Sequence, residues 1–305
     1  MDEWEAIGRF TGRFRGGAGL RLGPGDDCAL LAPTPGRDLC ATTDAVVEGV
    51  HFGPAFTPEE VGHKALAVNL SDLAAMGARP RWFLVAIALP AGPHPRLVDG
   101  LARGMAALAR RFSCVLAGGN FSRGPGLAVT VTALGEVAAG TALRRDGLAP
   151  GHLLAVTGTL GAAALALQRA RPGRAQRRPE PRVAAGLAAR AIARAAIDLS
   201  DGLAGDLRHM CAASGCGAEV WEDRLPMARG VRGRPDALDL CLSGGEDYEL
   251  LFGVAEHDWP QLRRRVAATG TPIALIGRAT TGGLRLARAE GAAARPLPAG
   301  GFSHF

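Results

Sequence analysis

The chain has 305 residues, 48% hydrophobic and 21% charged, a balance that supports a sizeable core and excludes a disordered chain. At this length about two domains are expected. The net charge of +6 does not point to nucleic acid, because the arginines are dispersed and the 10 Phe, 4 Trp and 1 Tyr show no aromatic-basic interleaving.

The N-terminal MDEWEAIGRF carries acids where a secretory signal carries bases, and no stretch reads as a membrane span, so a cytoplasmic protein is expected. The six cysteines are scattered without a C-x-x-C pair and read as small core or near-core residues rather than disulfides or a zinc site. All basic residues but Lys64 are arginine. The context EEVGHKALAV fits neither a P-loop nor a kinase strand lysine, so phosphate handling here would fall to metal ions, arginines and backbone N–H groups.

In chain order, GPGDDCALL (23–31) places two adjacent carboxylates between a turn and an apolar run expected to be buried. LCATTDAVV reads as a strand and TPEEVGHKALAVNLSDLAAMG as a helix, with a Thr57–Glu60 capping box, Pro58 at the first helical position and Gly77 as its stop. This helix is apolar nearly all round and is expected to be buried, with Asn69 and Asp72 on one face. RWFLVAIAL is a strand, PRLVDGLARGMAALARRF a helix, SCVLAGG and LAVTVTALGEV strands. The pattern restarts at LLAVTG, which puts a domain boundary near residue 140.

Two Ala-rich helical stretches then flank QRARPGRAQRRPEPR (168–182), which reads as a solvated connection. AAIDLSDGLAGDLRHMCAAS, the strand AEVWE, LDLCLSGGEDYELLFGV, the helix WPQLRRRVAAT and the strand PIALIGRAT follow. The architecture is α/β and α+β with mixed sheets.

Carboxylates and hydroxyls recur where strands or turns meet loops: Asp26–Asp27, Thr42–Thr43–Asp44, Asp72, and Asp198–Ser200–Asp201. No C-x-x-C pair or His ligand spacing accompanies them. This is the ligand chemistry of Mg²⁺ or Mn²⁺, with Mg²⁺ keeping waters and phosphates in its shell.

GPGDDCALL, TTDAVVEGVHF, KALAVNLSDLAAMGA, AIDLSDGL, LSGGEDYELLF and the tail GFSHF, in this order and spacing, resemble bacterial thiamine-monophosphate kinases, of the aminoimidazole ribonucleotide synthetase-like superfamily. The resemblance implies a two-domain fold: an N-terminal α/β domain (1–138) that binds ATP and metal and dimerises through its sheet, and a C-terminal α+β substrate domain (139–305). It implies phosphorylation of thiamine monophosphate by ATP, with several Mg²⁺ ions, in a homodimer. Carried over by position, Asp27, Thr42, Thr43, Asp44, Asp72, Asp198 and Asp201 become metal ligands. Gly119, Asn120, Arg145 and Ser200 become nucleotide contacts, with Asn120 also at a metal position, and His51, Glu246 and Phe302 become substrate contacts.

No general base is required, because the acceptor phosphate is already anionic. Residues 118–121 read Gly-Gly-Asn-Phe where the family has Gly-Gly-Asp-Thr, and a neutral amide is the weaker Mg²⁺ ligand. The alternatives are a nucleotide-binding homologue without turnover and another ATP-using member of the superfamily. Residues 1–25 hold no Cys or Lys, which argues against a selenophosphate synthetase.

Overall fold

Alternation of β-branched and small residues, broken by glycine turns, builds two larger mixed sheets and one two-stranded sheet among the described residues. The computed structural model describes residues 1–92, 94–169 and 172–301. Contacts divide the chain into two compact units: Met1–Leu73 with Ala78–Gly140 and Arg177–Pro179, and Ala74–Gly77 with Thr141–Gln176 and Glu180 onward.

The first unit contains α1 (Glu3–Thr11), β1 (Leu20–Leu22), β2 (Leu30–Leu31), β3 (Arg37–Val47), α2 (Pro58–Ala75), β4 (Arg79–Leu89), α3 (Pro95–Phe112), β5 (Val115–Arg123) and β6 (Ala128–Ala138). Its main sheet has the order β3-β6-β4-β5, with only β4 and β5 parallel. β5 runs on to Arg123, beyond the SCVLAGG stretch read as a strand.

The capping box forms: Thr57 N–H donates to Glu60 Oε2 (2.9 Å) and Glu60 N–H to Thr57 Oγ1 (3.3 Å). At the other end Gly77, at φ +63°, donates to Ala74 O while Ala78 donates to Leu73 O, closing the helix in a left-handed turn. Helix α2 is buried almost throughout. It packs so closely on α3 that a Cβ on Gly104 would lie 1.9 Å from Glu59 O and one on Gly62 2.1 Å from Leu101 O.

Two expectations fail in this unit. Ala29–Leu31 is not a buried run, since Leu30 is 54% exposed. Asp26, Asp27 and Cys28 are exposed in the β1–β2 connection, so the two carboxylates keep their water. The Arg/Pro tract is also more than a solvated connection. Arg177 pairs with Glu60 (3.2 Å), Arg178 pairs with Glu59 (2.9 Å), and His63 Nε2 lies 3.0 Å from Pro179 O.

The second unit contains β7 (Leu153–Thr157), α4 (Ala162–Gln168), α5 (Arg174–Arg177), α6 (Val183–Ala189), β8 (Ala195–Asp198), α7 (Leu203–Ser214), β9 (Gly217–Trp221), α8 (Ala237–Leu242), β10 (Leu250–Val254), α9 (Trp259–Ala267), β11 (Ile273–Thr280), β12 (Leu284–Ala287) and β13 (Ala294–Pro296). The seven strands run in the order β13-β12-β9-β11-β7-β10-β8, antiparallel except for β9 with β12. Among the described residues no helix is long and apolar enough to cross a membrane.

Helix propensity alone predicts that Gly104→Ala stabilises the chain by about 1 kcal/mol. The contact with Glu59 O reverses the sign: urea unfolding should show a loss of about 1–3 kcal/mol, the cost of forcing two packed helices apart. An unchanged or raised midpoint would mean that α2 and α3 have room to separate.

Candidate functional site

Strand alternation sorts the β3 residues. Thr42, Asp44 and Val46 point to the helix-covered face, and Thr42 Oγ1 donates to Asp72 Oδ2 on α2 at 2.6 Å. Thr43 points to the other face, where its hydroxyl donates to Val131 O and accepts from Thr132 Oγ1, both at 3.1 Å. The structure therefore brings Thr42 and Asp72 together and turns the Thr43 hydroxyl away.

Asn120 also departs from the grouping expected of it. It is in register with Ala86 of β4, which in turn pairs with Thr130 of β6, on the face that carries Thr43 and Thr132. β5 lies three strands from β3, a separation of about 14 Å at normal strand spacing. Within one copy, the Asn120 side chain does not join Thr42 and Asp72. Phe121 faces the helices and meets the Phe10 ring edge-on, with centroids 5.7 Å apart. Gly119 sits where a Cβ would lie 2.2 Å from Val85 O, so only glycine lets β5 run against β4 here.

His51 closes a tight turn after β3. Its Nδ1 accepts from Val47 N–H at 3.1 Å, which leaves the other ring nitrogen, Nε2, to carry a proton. Lys64, whose context fits neither a P-loop nor a kinase strand lysine, has a place that the sequence does not show. The side chain is fully buried, and Nζ donates to His51 O at 2.8 Å and lies 5.6 Å from the Phe56 ring centroid. Helical spacing could not have shown this, because the partner is a loop carbonyl thirteen residues away.

In the second unit two loops form one network. Asp198, 4% exposed, ends β8, and Ser200 and Asp201 follow it. Ser200 O accepts from Glu246 N–H (2.8 Å) and Leu199 O from Tyr248 N–H (2.8 Å), so the DLSDG and GGEDYE loops are joined through their backbones. Asp206, unassigned from the sequence, accepts from Asp201 N–H (3.1 Å) and Gly202 N–H (3.2 Å) and fixes the first loop. Burial pushes its carboxyl up to about 7, with the Asp201 charge adding to the effect. Arg145 sits in a short 3₁₀ turn whose carbonyl accepts from Ser214 Oγ at 2.8 Å, and its charge pulls the other way on Asp206.

Glu246 (φ +68°) and Tyr248 (φ +49°) occupy left-handed backbone, costly for residues with a Cβ. Between them Asp247 accepts from Gly161 N–H (2.9 Å), not from the turn amides of its own loop. Glu249 accepts from Thr157 Oγ1 (2.7 Å) and from Arg182 through both guanidinium arms. These anchors force Glu246 into its conformation. Phe302 lies outside the described residues.

Among the described residues no three His, Cys, Asp or Glu side chains stand close enough to hold a metal ion. The oxygen donors form two sets, one in each unit.

Residues 25–137 match the family model of the AIR synthase related protein N-terminal domain, and residues 124–287 that of its C-terminal domain. The chain is 42% identical over 293 residues to the thiamine-monophosphate kinase of Salmonella typhimurium, covering 90% of each. The chain belongs to the thiamine-monophosphate kinase family. Its fold is similar to the crystal structure of the enzyme from Stenotrophomonas maltophilia K279a (TM-score 0.84, 40% identity, 89% of this chain and 92% of that one). It is also similar to AaThiL complexed with AMPPCP and TMP (TM-score 0.78, 28% identity, 90% and 89%).

The left-handed backbone at Glu246 separates stability from function. In Glu246→Gly the relief of strain offsets the added freedom of the unfolded chain, so stability should change by less than about 1 kcal/mol. The KM for thiamine monophosphate should rise at least tenfold. An unchanged KM would remove Glu246 from the substrate contacts.

Asp247 gives a pH signature. Burial pushes its carboxyl up to about 7, against the lowering by the Gly161 N–H. The folded state therefore holds this proton more tightly than the unfolded chain does. Its contribution is full at acid pH and is lost as pH rises towards 7. Between pH 5 and 8 the wild type should lose more stability than Asp247→Asn, and parallel pH curves from thermal melts would contradict this.

Proposed function

We propose that this chain transfers the terminal phosphoryl group of ATP to the phosphate of thiamine monophosphate, giving ADP and thiamine diphosphate by direct in-line transfer. The observation that carries the reading is similarity over about nine-tenths of the chain to a protein captured with AMPPCP and TMP. The donor chemistry agrees with it. The candidate set is oxygen-rich, and the acceptor is anionic before it binds, so positioning matters more than proton removal.

The residues fit Mg²⁺ in the limited way this ion requires. Mg²⁺ is held by one or two carboxylates plus phosphates and water, so the lack of a three-carboxylate cage among the described residues is compatible with it. Asp72 with Thr42, Asp44 and Asp27 would hold ions in the first unit, and Asp198 and Asp201 in the second. When bound, the ions supply the positive charge that lets two polyanions approach.

The protein's own contribution is geometry. The Asp72–Thr42 hydrogen bond aims one carboxylate oxygen at β3. The Asp206 carboxylate and the Glu246 N–H hold the Asp198–Asp201 loop, and Lys64 holds the carbonyl of His51. Arg145, exposed, is free to meet phosphate, and the buried anchors around Glu246 present its carboxylate to the thiamine moiety.

A homodimer belongs to this reading. The β3-β6-β4-β5 sheet exposes Leu39 (47%) and Leu84 (38%) on the face that carries Thr43 and Asn120. A second copy seated there would cover the apolar side chains together with Asn120. A nucleotide-binding protein without turnover is the second reading, and Asn120 is the residue that favours it.

Purified protein with ATP, Mg²⁺ and thiamine monophosphate should form thiamine diphosphate. An amide in place of a carboxylate removes one Coulomb attraction, so the wild type should need more Mg²⁺ for half-maximal rate than Asn120→Asp, with a smaller change in KM for thiamine monophosphate. No turnover in the wild type, restored by Asn120→Asp, would establish the second reading. Coincident Mg²⁺ titrations of two active forms would take Asn120 away from any metal.

A further inference from the structure

A cavity of about 750 Å³ opens in the first unit where the α1–β1 connection (residues 12–18) meets the start of β4, the end of α3 and the start of β5. Five arginines line it, Arg13, Arg15, Arg79, Arg81 and Arg110, and no acidic residue does. The nearby carboxylates stand outside the lining and are engaged. Asp99 takes Arg9 at 2.5 Å and Arg13 only at 3.9 Å, while Glu136 accepts from Thr34 N–H and Oγ1 and lies 3.4 Å from Arg81 Nε. That Nε is buried and makes no hydrogen bond. Among the described residues Arg15, Arg79 and Arg110 form no ion pair.

We infer that this cavity is a binding site for an oligophosphate anion, the di- or triphosphate group of a small molecule, separate from the acid-lined set. Like charges around one concavity repel, and an anion of several charges relieves all of the pairs at once. The end of α3 opposes this with its terminal carbonyls, equivalent to about half a negative charge, too little to offset the three guanidinium groups of Arg15, Arg79 and Arg110 that form no ion pair among the described residues. Planar guanidinium forks match phosphate oxygens, and the volume exceeds what a single phosphate fills. The Phe14 ring, fixed against Phe10 (5.3 Å) and Phe83 (5.8 Å), adds an apolar wall for the body of such a ligand.

The site is distinct in place and in sign. Val115 lines the cavity and Asn120 lies five residues further along β5, about 16 Å at strand rise. At the acid-lined set a phosphate needs cations. In the arginine cavity a bound cation cancels the charge that is recognised, so Mg²⁺ weakens binding.

The test is calorimetric titration of inorganic tripolyphosphate into the full chain at low ionic strength in EDTA. One site per chain is expected, weakened by added Mg²⁺ and at least tenfold weaker in Arg15→Gln/Arg79→Gln. That variant should keep the kinetics of the wild type with Mg²⁺, ATP and thiamine monophosphate. Arg263→Gln/Arg264→Gln removes the same charge from the exposed side of α9 and should leave the affinity unchanged. Equal weakening in both variants would reduce the attraction to net charge and overturn the site. So would the absence of binding in EDTA, or binding that strengthens with Mg²⁺. Displacement by ATP in EDTA makes the ligand a nucleotide, displacement by thiamine diphosphate makes it the reaction product, and displacement by neither overturns the assignment to these small molecules.

Discussion

Helix α2 has almost no solvent face, and the first unit is organised around that constraint. A polar group on a buried helix must find a partner inside the protein or pay its desolvation in full. Lys64 finds His51 O, His63 finds Pro179 O, Asp72 finds Thr42 Oγ1, and the Asn69 amide nitrogen finds Ala65 O. On this helix, among the described residues, the one buried side-chain atom without a partner is Asn69 Oδ1. Except for Ala65, each partner belongs to a segment outside the helix. The helix that builds the core thus also fixes the loop after β3 and aims the carboxylate of Asp72. Gly62 and Gly104 make this possible by letting α3 come into close backbone contact with α2.

The second unit solves the same problem with carboxylates in place of an ammonium. Asp206 and Asp247 are both buried enough for their carboxyls to be pushed up to about 7, and both accept backbone N–H groups. Asp206 holds the loop of Asp198, Ser200 and Asp201, and Asp247 with Glu249 holds a loop in which Glu246 has φ +68°. A residue kept in costly backbone by that many anchors is placed for its side chain, which is why Glu246 and not Asp247 is the candidate contact.

Much of this was legible in the sequence because it is local. The capping box, the Gly77 stop, the alternating strands and the buried character of α2 follow from neighbours a few residues apart. What stayed hidden depends on long-range pairing. Strand alternation was available for Thr42 and Thr43, yet only the register with β6 shows which of them faces α2. The order β3-β6-β4-β5, which sets Asn120 far from Asp72, has no signature in the strands themselves. The tract 168–182 reads as solvated on composition because its partners Glu59, Glu60 and Glu249 lie 67 to 119 residues away.

Arginine usage then connects the two charged regions of the first unit. In a chain whose one lysine is buried, every exposed cation is a guanidinium, a group that stays charged and does not shift readily on burial. Such a chain has two ways to approach a phosphate. Carboxylates can do it through intervening ions, with affinity that depends on the metal and can be switched by its removal. Arginines can do it directly, with affinity that falls as the ligand's charge is neutralised. The two modes respond oppositely to Mg²⁺, so a phosphorylated molecule distributes between them according to whether it carries a cation. The separation of Thr42, Asp44 and Asp72 from Arg15, Arg79 and Arg110 keeps the two responses from cancelling, since a guanidinium inside the acid set would compete with any cation held there.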